Sequence, residues 1–362
     1  MKHGILILCL CVWAAIPAGL AGADTPQSPA LSRLSHTNLL TFHKRSGKED
    51  VVRSIRDWQK RRSEILSRMQ EVMGPLPGLE KRGALDLHIH EDIDRGSYLL
   101  RKISYASEPG SRVPAYLLVP KVAFETKSKL PAVLALHQTH PLVRKVVVGL
   151  GESPDDEYGV ELARRGYVVL APSYPLLGDY NPDLNALGYV SGTMKAIWDN
   201  MRGLDLLESL PYVRRGRFAA IGHSLGGHNS IYTAVFDQRI KVIVSSCGFD
   251  SFRDYMNGNI NGWTSVRYMP QLLNYQLAEV PFDFHELIGA LAPRACFVSA
   301  PLGDTNFKWR SVQDVTRTAR KIYQLHGSSD KLRVEHPDCG HLFPLEMREA
   351  AFKLIDSELK ND

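Results

Sequence analysis

The residues best suited to covalent chemistry are 222–226, which read Gly-His-Ser-Leu-Gly. The pattern Gly-x-Ser-x-Gly places a serine on a sharp turn between a strand and a helix, with its hydroxyl clear of the sheet. Side chains at the two glycine positions would collide in such a turn. An apolar strand pattern precedes the turn at 217–221, and a buried helix pattern follows it at 230–234. We therefore predict that Ser224 is a nucleophile.

A serine hydroxyl needs a general base, and in this arrangement the acid and then the histidine follow the serine along the chain. The histidines at or after position 228 are His228, His285, His326, His336 and His341. His341 follows the last apolar strand pattern, 332–334, and precedes the final helix pattern. We favour His341 as the base, with His336, five residues earlier, as the alternative.

The acid that orients the histidine should follow one of the preceding strands. Asp304 comes just after the apolar run 295–300, and this position favours it. Asp250, which follows the strand pattern before that one, is the alternative. Asp338 is a further candidate within the histidine's own loop.

Acyl transfer also needs hydrogen-bond donors for the oxyanion. One should be the backbone N–H of Leu225, directly after the nucleophile. The other should come from the loop after the strand pattern 131–136, where the N–H of either Gln138 or Thr139 is in position.

The elements around these residues predict an α/β fold. Short apolar runs alternate with helical patterns from Leu130 onward, at 131–136, 168–172, 218–221, 242–246, 295–300 and 332–334. Such alternation is typical of a mostly parallel sheet with helices on both faces. Antiparallel strands are expected before it, at 85–89, 98–105 and 113–119.

Three segments are predicted along the chain. Residues 1–23 are a signal peptide, 24–46 a loose leader, and 47–362 one domain that opens with a helix at 49–73. Within that domain the aromatic-rich residues 249–283 are a candidate cap insertion. We hypothesise that Trp263 in this insertion contacts the substrate, or alternatively that it packs on the sheet edge.

The signal peptide rests on Lys2, the apolar run 5–16 and the small residues of Ala21-Gly22-Ala23. The run is short for a bilayer span and is followed by Pro17 and Gly19, so we expect a cleaved signal and a secreted or periplasmic protein with no membrane span. Three cysteines would remain, and their wide spacing does not indicate a disulfide framework.

Composition excludes several other classes. The chain has 362 residues, 44% apolar and 23% charged, which is ordinary for a globular domain and argues against disorder. A formal charge of +5 with interleaved acids argues against nucleic-acid binding. No zinc-ligand spacing occurs. We expect no metal, no cofactor and no nucleic-acid partner.

Together, the 222–226 turn, the His137-Gln138-Thr139 strand end, the Asp304 loop and the Gly340-His341 loop resemble the α/β-hydrolase superfamily. Within it, residues 50–358 resemble the bacterial dienelactone-hydrolase-like and acetyl-xylan-esterase-like proteins. The resemblance implies Ser224 as nucleophile, Asp304 as acid and His341 as base.

The chain departs from these families at several positions. Many relatives have glycine where it has Gln138, and the dienelactone hydrolases use a cysteine nucleophile, so their ring-opening reaction is not implied. Glucuronoyl esterases carry an arginine after the serine, where this chain has Leu225.

We expect a secreted serine hydrolase that cleaves carboxylic esters of a small molecule or a carbohydrate through an acyl-enzyme. The resemblance suggests acyl groups on polysaccharides. The alternatives are a serine peptidase of the prolyl-oligopeptidase type, an acyltransferase, and a non-catalytic binding protein on the same scaffold. The peptidases usually carry a propeller domain, for which the residues before Leu130 are too few.

Overall fold

A nine-stranded sheet forms the centre of the computed structural model, which describes residues 32–126 and 129–360. Its strands are β3 (His88–Asp94), β4 (Tyr98–Glu108), β5 (Ser111–Pro120), β6 (Leu130–Leu136), β7 (Val168–Pro172), β8 (Val213–His223), β9 (Ile240–Ser246), β10 (Ala295–Ser299) and β11 (Leu332–Glu335). They lie in the order β11-β10-β9-β8-β6-β7-β5-β4-β3. The six strands from β6 to β11 are parallel, and β3, β4 and β5 add an antiparallel end.

Helices cover both faces of this sheet. They are α1 (Ile55–Met73), α2 (Val122–Glu125), α3 (Tyr158–Arg164), α4 (Gly192–Ser209), α5 (Leu225–Phe236), α6 (Phe284–Leu291), α7 (Trp309–Leu325) and α8 (Leu345–Leu359). Successive residues of β6 alternate between the two apolar cores: Ala132 and Leu134 belong to one, Val133 and Ala135 to the other. Apolar side chains on both faces require cover on both faces, which is the predicted α/β-hydrolase architecture.

The start of the described chain differs from the sequence prediction. Residues 33–46, expected as a loose leader, belong to the compact unit that begins at Arg33. The strand β1 (Thr41–His43) pairs with β2 (Glu49–Val51), and Leu39 and Phe42 are buried in the core. The leader prediction is therefore wrong from residue 33 onward. The prediction failed because it gave more weight to the serine and proline residues of this segment than to its apolar residues at 34, 39 and 42.

The first helix also begins later than predicted. Residues 49–51 are extended because they pair with β1, so α1 begins at Ile55 instead of residue 49. The Ser54 side chain accepts a hydrogen bond from the Asp57 N–H and caps the helix. The helix ends as predicted, at Met73 before Gly74.

The 249–283 segment contains no strand and no α-helix. It carries four short 3₁₀ helices, at Tyr255–Gly258, Ile260–Trp263, Pro270–Asn274 and Leu277–Glu279. The predicted signal peptide, 1–23, lies outside the described residues. Among the residues that are described, no helix is long and apolar enough to cross a membrane.

Candidate active site

Ser224 lies on a strained turn between β8 and α5. Its φ is +52°, a left-handed value that residues with a side chain rarely adopt. The glycines on either side permit this turn. A Cβ on Gly226 would lie 1.8 Å from the Leu136 carbonyl oxygen, and one on Gly222 would lie 2.2 Å from the Gly226 carbonyl carbon. The side chain of Ser224 remains partly exposed at the carboxyl end of the parallel strands.

Ser224, His341 and Asp304 form a continuous hydrogen-bonded chain. The Ser224 Oγ lies 2.9 Å from Nε2 of His341. The Nδ1 of the same ring lies 3.0 and 3.1 Å from the two carboxylate oxygens of Asp304. Because a carboxylate can only accept, Nδ1 carries the proton and Nε2 is free to accept from the serine hydroxyl. This is the arrangement a general base needs.

The loops that carry Asp304 and His341 are joined by backbone hydrogen bonds. The Gly303 N–H donates to the Cys339 carbonyl at 3.0 Å, and the Leu302 N–H donates to the Pro337 carbonyl at 3.0 Å. A Cβ on Gly303 would lie 2.9 Å from the Cys339 oxygen, so glycine permits this approach. These contacts fix the two loops relative to each other.

The Asp304 carboxylate is held in its charged form. Burial opposes the charge, but hydrogen bonding to His341, the charge of that ring and the N–H groups of Asn306 and Phe307 together outweigh burial and lower the pKa of Asp304. Those two N–H groups lie 2.8 and 3.2 Å from Oδ1. A permanently charged acid can stabilise a histidinium in the transition state.

The residues considered as alternatives for the base and the acid are not part of this hydrogen-bonded chain. The Nδ1 of His336 donates to the Ala300 carbonyl at 2.8 Å. The Oδ2 of Asp250 accepts from the Lys308 N–H, its Oδ1 has no partner among the residues that the structure describes, and burial raises its pKa to about 7. Asp338 is exposed. The structure therefore brings His341 and Asp304 to Ser224 and brings none of the alternatives there.

The candidate oxyanion donors lie on both sides of the serine. Leu225 is the first residue of α5, so its N–H has no carbonyl partner within the helix. In the other loop, the buried His137 holds the backbone: its Nε2 accepts from the Tyr174 N–H at 3.0 Å, and its Nδ1 donates to the Gln138 carbonyl at 2.8 Å. This bond fixes the peptide between Gln138, which is buried, and Thr139, which is exposed.

Three residues that border the site were missed by the sequence analysis. The ring of His223 lies 4.9 Å from that of His341, and burial followed by the nearby His341 lowers its pKa to about 3. The centroid of the Phe307 ring lies 6.1 Å from that of the His341 ring. Cys247, which follows β9 with a φ of +48°, is also close. His223 could have been found as the residue before the nucleophile, and Phe307 as the residue three positions after the acid. Cys247 carries no distinctive pattern.

Cys247, Asp304 and His341 are also the one group of described residues whose ligand atoms cluster tightly enough for a metal ion, within 4.8 Å. The chemistry of the donors does not fit. Burial raises the pKa of the Cys247 thiol, whereas a metal needs the thiolate. The His341 nitrogen that faces the cluster already donates to Asp304. We assign Asp304 and His341 to the hydrogen-bonded chain with Ser224, and the Cys247 thiol donates to the Leu342 carbonyl at 3.4 Å.

Trp263 is a packing residue in this structure. Its ring is 6% exposed and stacks on His228 at 4.5 Å between ring centroids. It also packs near Tyr255 and Phe307. These contacts favour the packing alternative, although the ring packs against α5 and not on the sheet edge. Contact with the substrate stays a prediction.

A cavity of about 940 Å³ lies elsewhere, between the chain start at 33–37 and the 251–254 and 277–285 segments. Neither Ser224, Asp304 nor His341 lines it. Because no serine or threonine of its walls is hydrogen-bonded to a histidine within the described residues, we place the active site at Ser224 and not in this cavity.

Comparison with known proteins agrees with the fold. Residues 185–327, which include Ser224 and Asp304, match the family model described as Glucuronyl esterase, fungi. The Bacillus subtilis (strain 168) protein "Putative hydrolase YtaP" is 25% identical over 311 residues, which are 82% of this chain and all of that protein.

Two solved structures show the same architecture. The glucuronoyl esterase from Solibacter usitatus superposes with a TM-score of 0.71 at 18% identity and covers 91% of this chain and 100% of its own. A "putative acetyl xylan esterase" from Bacteroides fragilis gives a TM-score of 0.59 at 19% identity, over 78% of this chain and 76% of its own.

The chain therefore has the α/β-hydrolase fold, and the prediction of this fold is confirmed. The matched family model and the hydrolase relative support its assignment as a carboxylic ester hydrolase. The match includes the 222–226 turn, although Leu225 stands where glucuronoyl esterases carry an arginine.

Proposed function

We propose that this protein is a secreted serine esterase that cleaves carboxylic esters of carbohydrates through an acyl-enzyme. The observation that carries the proposal is the hydrogen-bonded chain from Ser224 through His341 to Asp304, at 2.9 and 3.0 Å. The carbohydrate substrate is supported by the glucuronyl esterase match and by the glucuronoyl and acetyl xylan esterases among the structural neighbours. Secretion is supported by the signal-peptide pattern at 1–23.

In the first half of the reaction His341 takes the hydroxyl proton as Ser224 attacks the ester carbonyl. The tetrahedral oxyanion accepts hydrogen bonds from the N–H of Leu225 and from that of Gln138 or Thr139. His341 then gives its proton to the leaving alcohol, and the acyl group stays on the serine. Asp304 holds the imidazole in the required tautomer and offsets its positive charge.

In the second half water replaces the alcohol. His341 takes a proton from the water as its oxygen attacks the acyl-enzyme, and returns the proton to Ser224 as the acid product leaves.

Labelling with a fluorophosphonate probe tests the nucleophile. We expect stoichiometric modification of Ser224 in the wild type and none in Ser224→Ala. Ser230→Ala is a matched control, because Ser230 lies on the same helix and donates to the Gly226 carbonyl. Failure of the folded wild type to react would overturn the enzymatic proposal in favour of a binding protein.

A substrate panel tests the ester. Acetylated oligosaccharide, methyl glucuronoyl, feruloyl and peptide substrates should separate carbohydrate esterase activity from the peptidase alternative. We expect hydrolysis of at least one sugar ester and none of the peptides. Cleavage of the peptides alone would contradict the proposal.

A further inference from the structure

A half-buried arginine without an acidic partner lies at the same end of the sheet as Ser224. Arg267 belongs to the 249–283 segment, and its Nε donates to the Leu176 carbonyl at 3.0 Å. Within residues 32–126 and 129–360, no carboxylate comes within ion-pair distance of its guanidinium. By contrast, the buried Arg61, Arg144 and Arg348 each pair with a carboxylate.

The terminal nitrogens of Arg267 are available to a ligand. Its one hydrogen bond uses Nε, and neither Nη is among the buried nitrogens that lack a partner in the described chain, so both Nη atoms reach solvent. Arg294 differs in this respect, because its Nη2 is buried without a partner. A guanidinium that presents two N–H groups in one plane is suited to a carboxylate.

The backbone that carries Arg267 is fixed. Its carbonyl accepts from the Tyr174 hydroxyl at 3.2 Å, and the neighbouring Val266 carbonyl accepts from the Gly192 N–H at 2.8 Å. A Cβ on Gly192 would lie 2.2 Å from the Arg267 oxygen, so glycine permits the segment to approach the start of α4 this closely. The arginine is therefore held in place before any ligand arrives.

Arg267 is two contacts away from the nucleophile. Tyr174, which bonds to its carbonyl, packs against Leu225, the residue after Ser224, and Tyr268 packs on the same cluster. These side chains form an apolar cluster that contacts the residue after Ser224 at one end and the backbone of Arg267 at the other. A substrate that reaches both residues would have its ester at one end of this cluster and its acidic group at the other.

The order of the strands assigns the half of the substrate that Arg267 would meet. Ser224 follows β8, His341 follows β11 on one side of it, and Leu176 follows β7 on the other. The leaving alcohol must lie beside His341, which protonates it. The acyl half therefore extends toward Leu176 and Arg267.

We propose that Arg267 binds a carboxylate on the acyl half of the substrate and makes the enzyme selective for esters of acyl groups that carry a second acidic function. This inference rests on the proposed esterase function and specifies its substrate class. Ester cleavage of such a group leaves a product with two carboxylates, one formed at Ser224 and the other already bound by Arg267.

The test compares two esters that differ in this charge alone: the mono-4-nitrophenyl ester of adipic acid and 4-nitrophenyl hexanoate. In Arg267→Gln we expect kcat/KM for the adipate ester to fall about 10- to 100-fold, the loss that a charge-assisted hydrogen bond implies, while the value for the hexanoate stays within about twofold. Arg267→Lys should recover part of the loss, because it restores the charge without the planar fork.

Arg253→Gln is the matched control, since Arg253 is an exposed arginine on the same segment. It should leave both esters unchanged. An equal effect of Arg267→Gln on the two esters, no effect on either, or a wild type that hydrolyses the hexanoate and not the adipate would overturn the inference. Each of these outcomes still requires an active enzyme. Failure of the proposed function is different, because Ser224 would then not react with the fluorophosphonate.

Discussion

At the scale of single residues, the hydrogen bonds of the site give each of its polar atoms one role. His341 has two ring nitrogens, and Asp304 takes one while Ser224 takes the other. Removing either partner therefore affects a different part of the reaction. In the proposed reaction the serine supplies the attacking oxygen, and the aspartate supplies the tautomer and the counter-charge.

Ser224→Ala should reduce kcat on a sugar ester by about a millionfold, because loss of a triad nucleophile leaves only the rate from binding and the oxyanion donors. The fold should persist, since the substitution removes one hydroxyl and no buried contact. Circular dichroism and steady-state kinetics check the two halves of this prediction. Retention of wild-type activity would rule out Ser224.

Asp304→Asn should reduce kcat by about ten-thousandfold, the effect of a histidine held in the wrong tautomer. Asp250→Asn is the matched control. Its carboxyl makes no contact with His341, and its raised pKa means that the neutral form is already accessible near pH 7. The rates of both variants on one ester decide between Asp304 and Asp250 as the acid. A large loss in Asp250→Asn with little loss in Asp304→Asn would place the acid after β9.

At the scale of elements, the 249–283 segment and α5 are joined through stacked rings. His228 lies one turn after Ser224 and is stacked between Tyr232 at 4.2 Å and Trp263 at 4.5 Å. Trp263 in turn packs near Phe307, and Phe307 packs near His341. A tryptophan in this series supports the site through packing.

Trp263→Ala should therefore lower the free energy of unfolding by about 3–5 kcal/mol, the usual effect of truncating a buried aromatic side chain. Activity should fall by the same factor on a small acetyl ester and on an acetylated oligosaccharide. Thermal melting and kinetics on the two substrates provide the measurement. A loss confined to the oligosaccharide, with an unchanged melting temperature, would restore the substrate-contact hypothesis.

At the scale of the whole molecule, burial of neutral histidines makes stability depend on pH. Burial lowers the pKa of His223 and His228 to about 3 and that of His137 and His285 to about 4. Between pH 4 and 6.5 the unfolded chain binds protons at these four sites that the folded chain does not. Stability from these groups is therefore complete above the unfolded pKa of about 6.5 and is lost as the pH falls.

Several buried acids oppose this trend. Burial raises the pKa of Asp250 to about 7 and that of Asp283 to about 6, and it also raises the pKa of Asp156 and Asp199, so the folded chain keeps protons at these groups where the unfolded chain has lost them. We expect the four histidines to outweigh these acids. The free energy of unfolding should then fall as the pH is lowered from 7 to 5. Urea denaturation at pH 7, 6 and 5 measures the slope, and a flat profile would contradict it.

His228→Phe separates one histidine from the rest. Both ring nitrogens of His228 are buried without a partner in the described chain, so a phenyl ring removes their desolvation cost of about 1–3 kcal/mol. We expect a higher melting temperature at pH 7 and a pH slope smaller by about one proton, or about 1.4 kcal/mol per pH unit. Destabilisation at pH 7 would mean that a ring nitrogen has a partner, such as a buried water.

The sequence by itself determined the features that are local. The turn at 222–226 could be predicted because the two glycines that it requires for steric reasons lie within five consecutive residues. The alternation of apolar strands and helices from residue 130 onward followed from burial on both faces of each strand. Asp304 and His341 could be proposed because each follows a strand pattern, and parallel strands end at the same edge of a sheet.

Only the tertiary structure decided features that depend on residues far apart in the chain. The pairing of 41–43 with 49–51 is too short to show a strand pattern, so the first helix was placed too early. The side chains of His228, Trp263 and Arg267 contact segments more than 30 residues away or a loop after another strand. Spacing along the sequence therefore does not predict these contacts. Whether an arginine has a carboxylate partner is a property of the folded chain, and this property distinguishes Arg267.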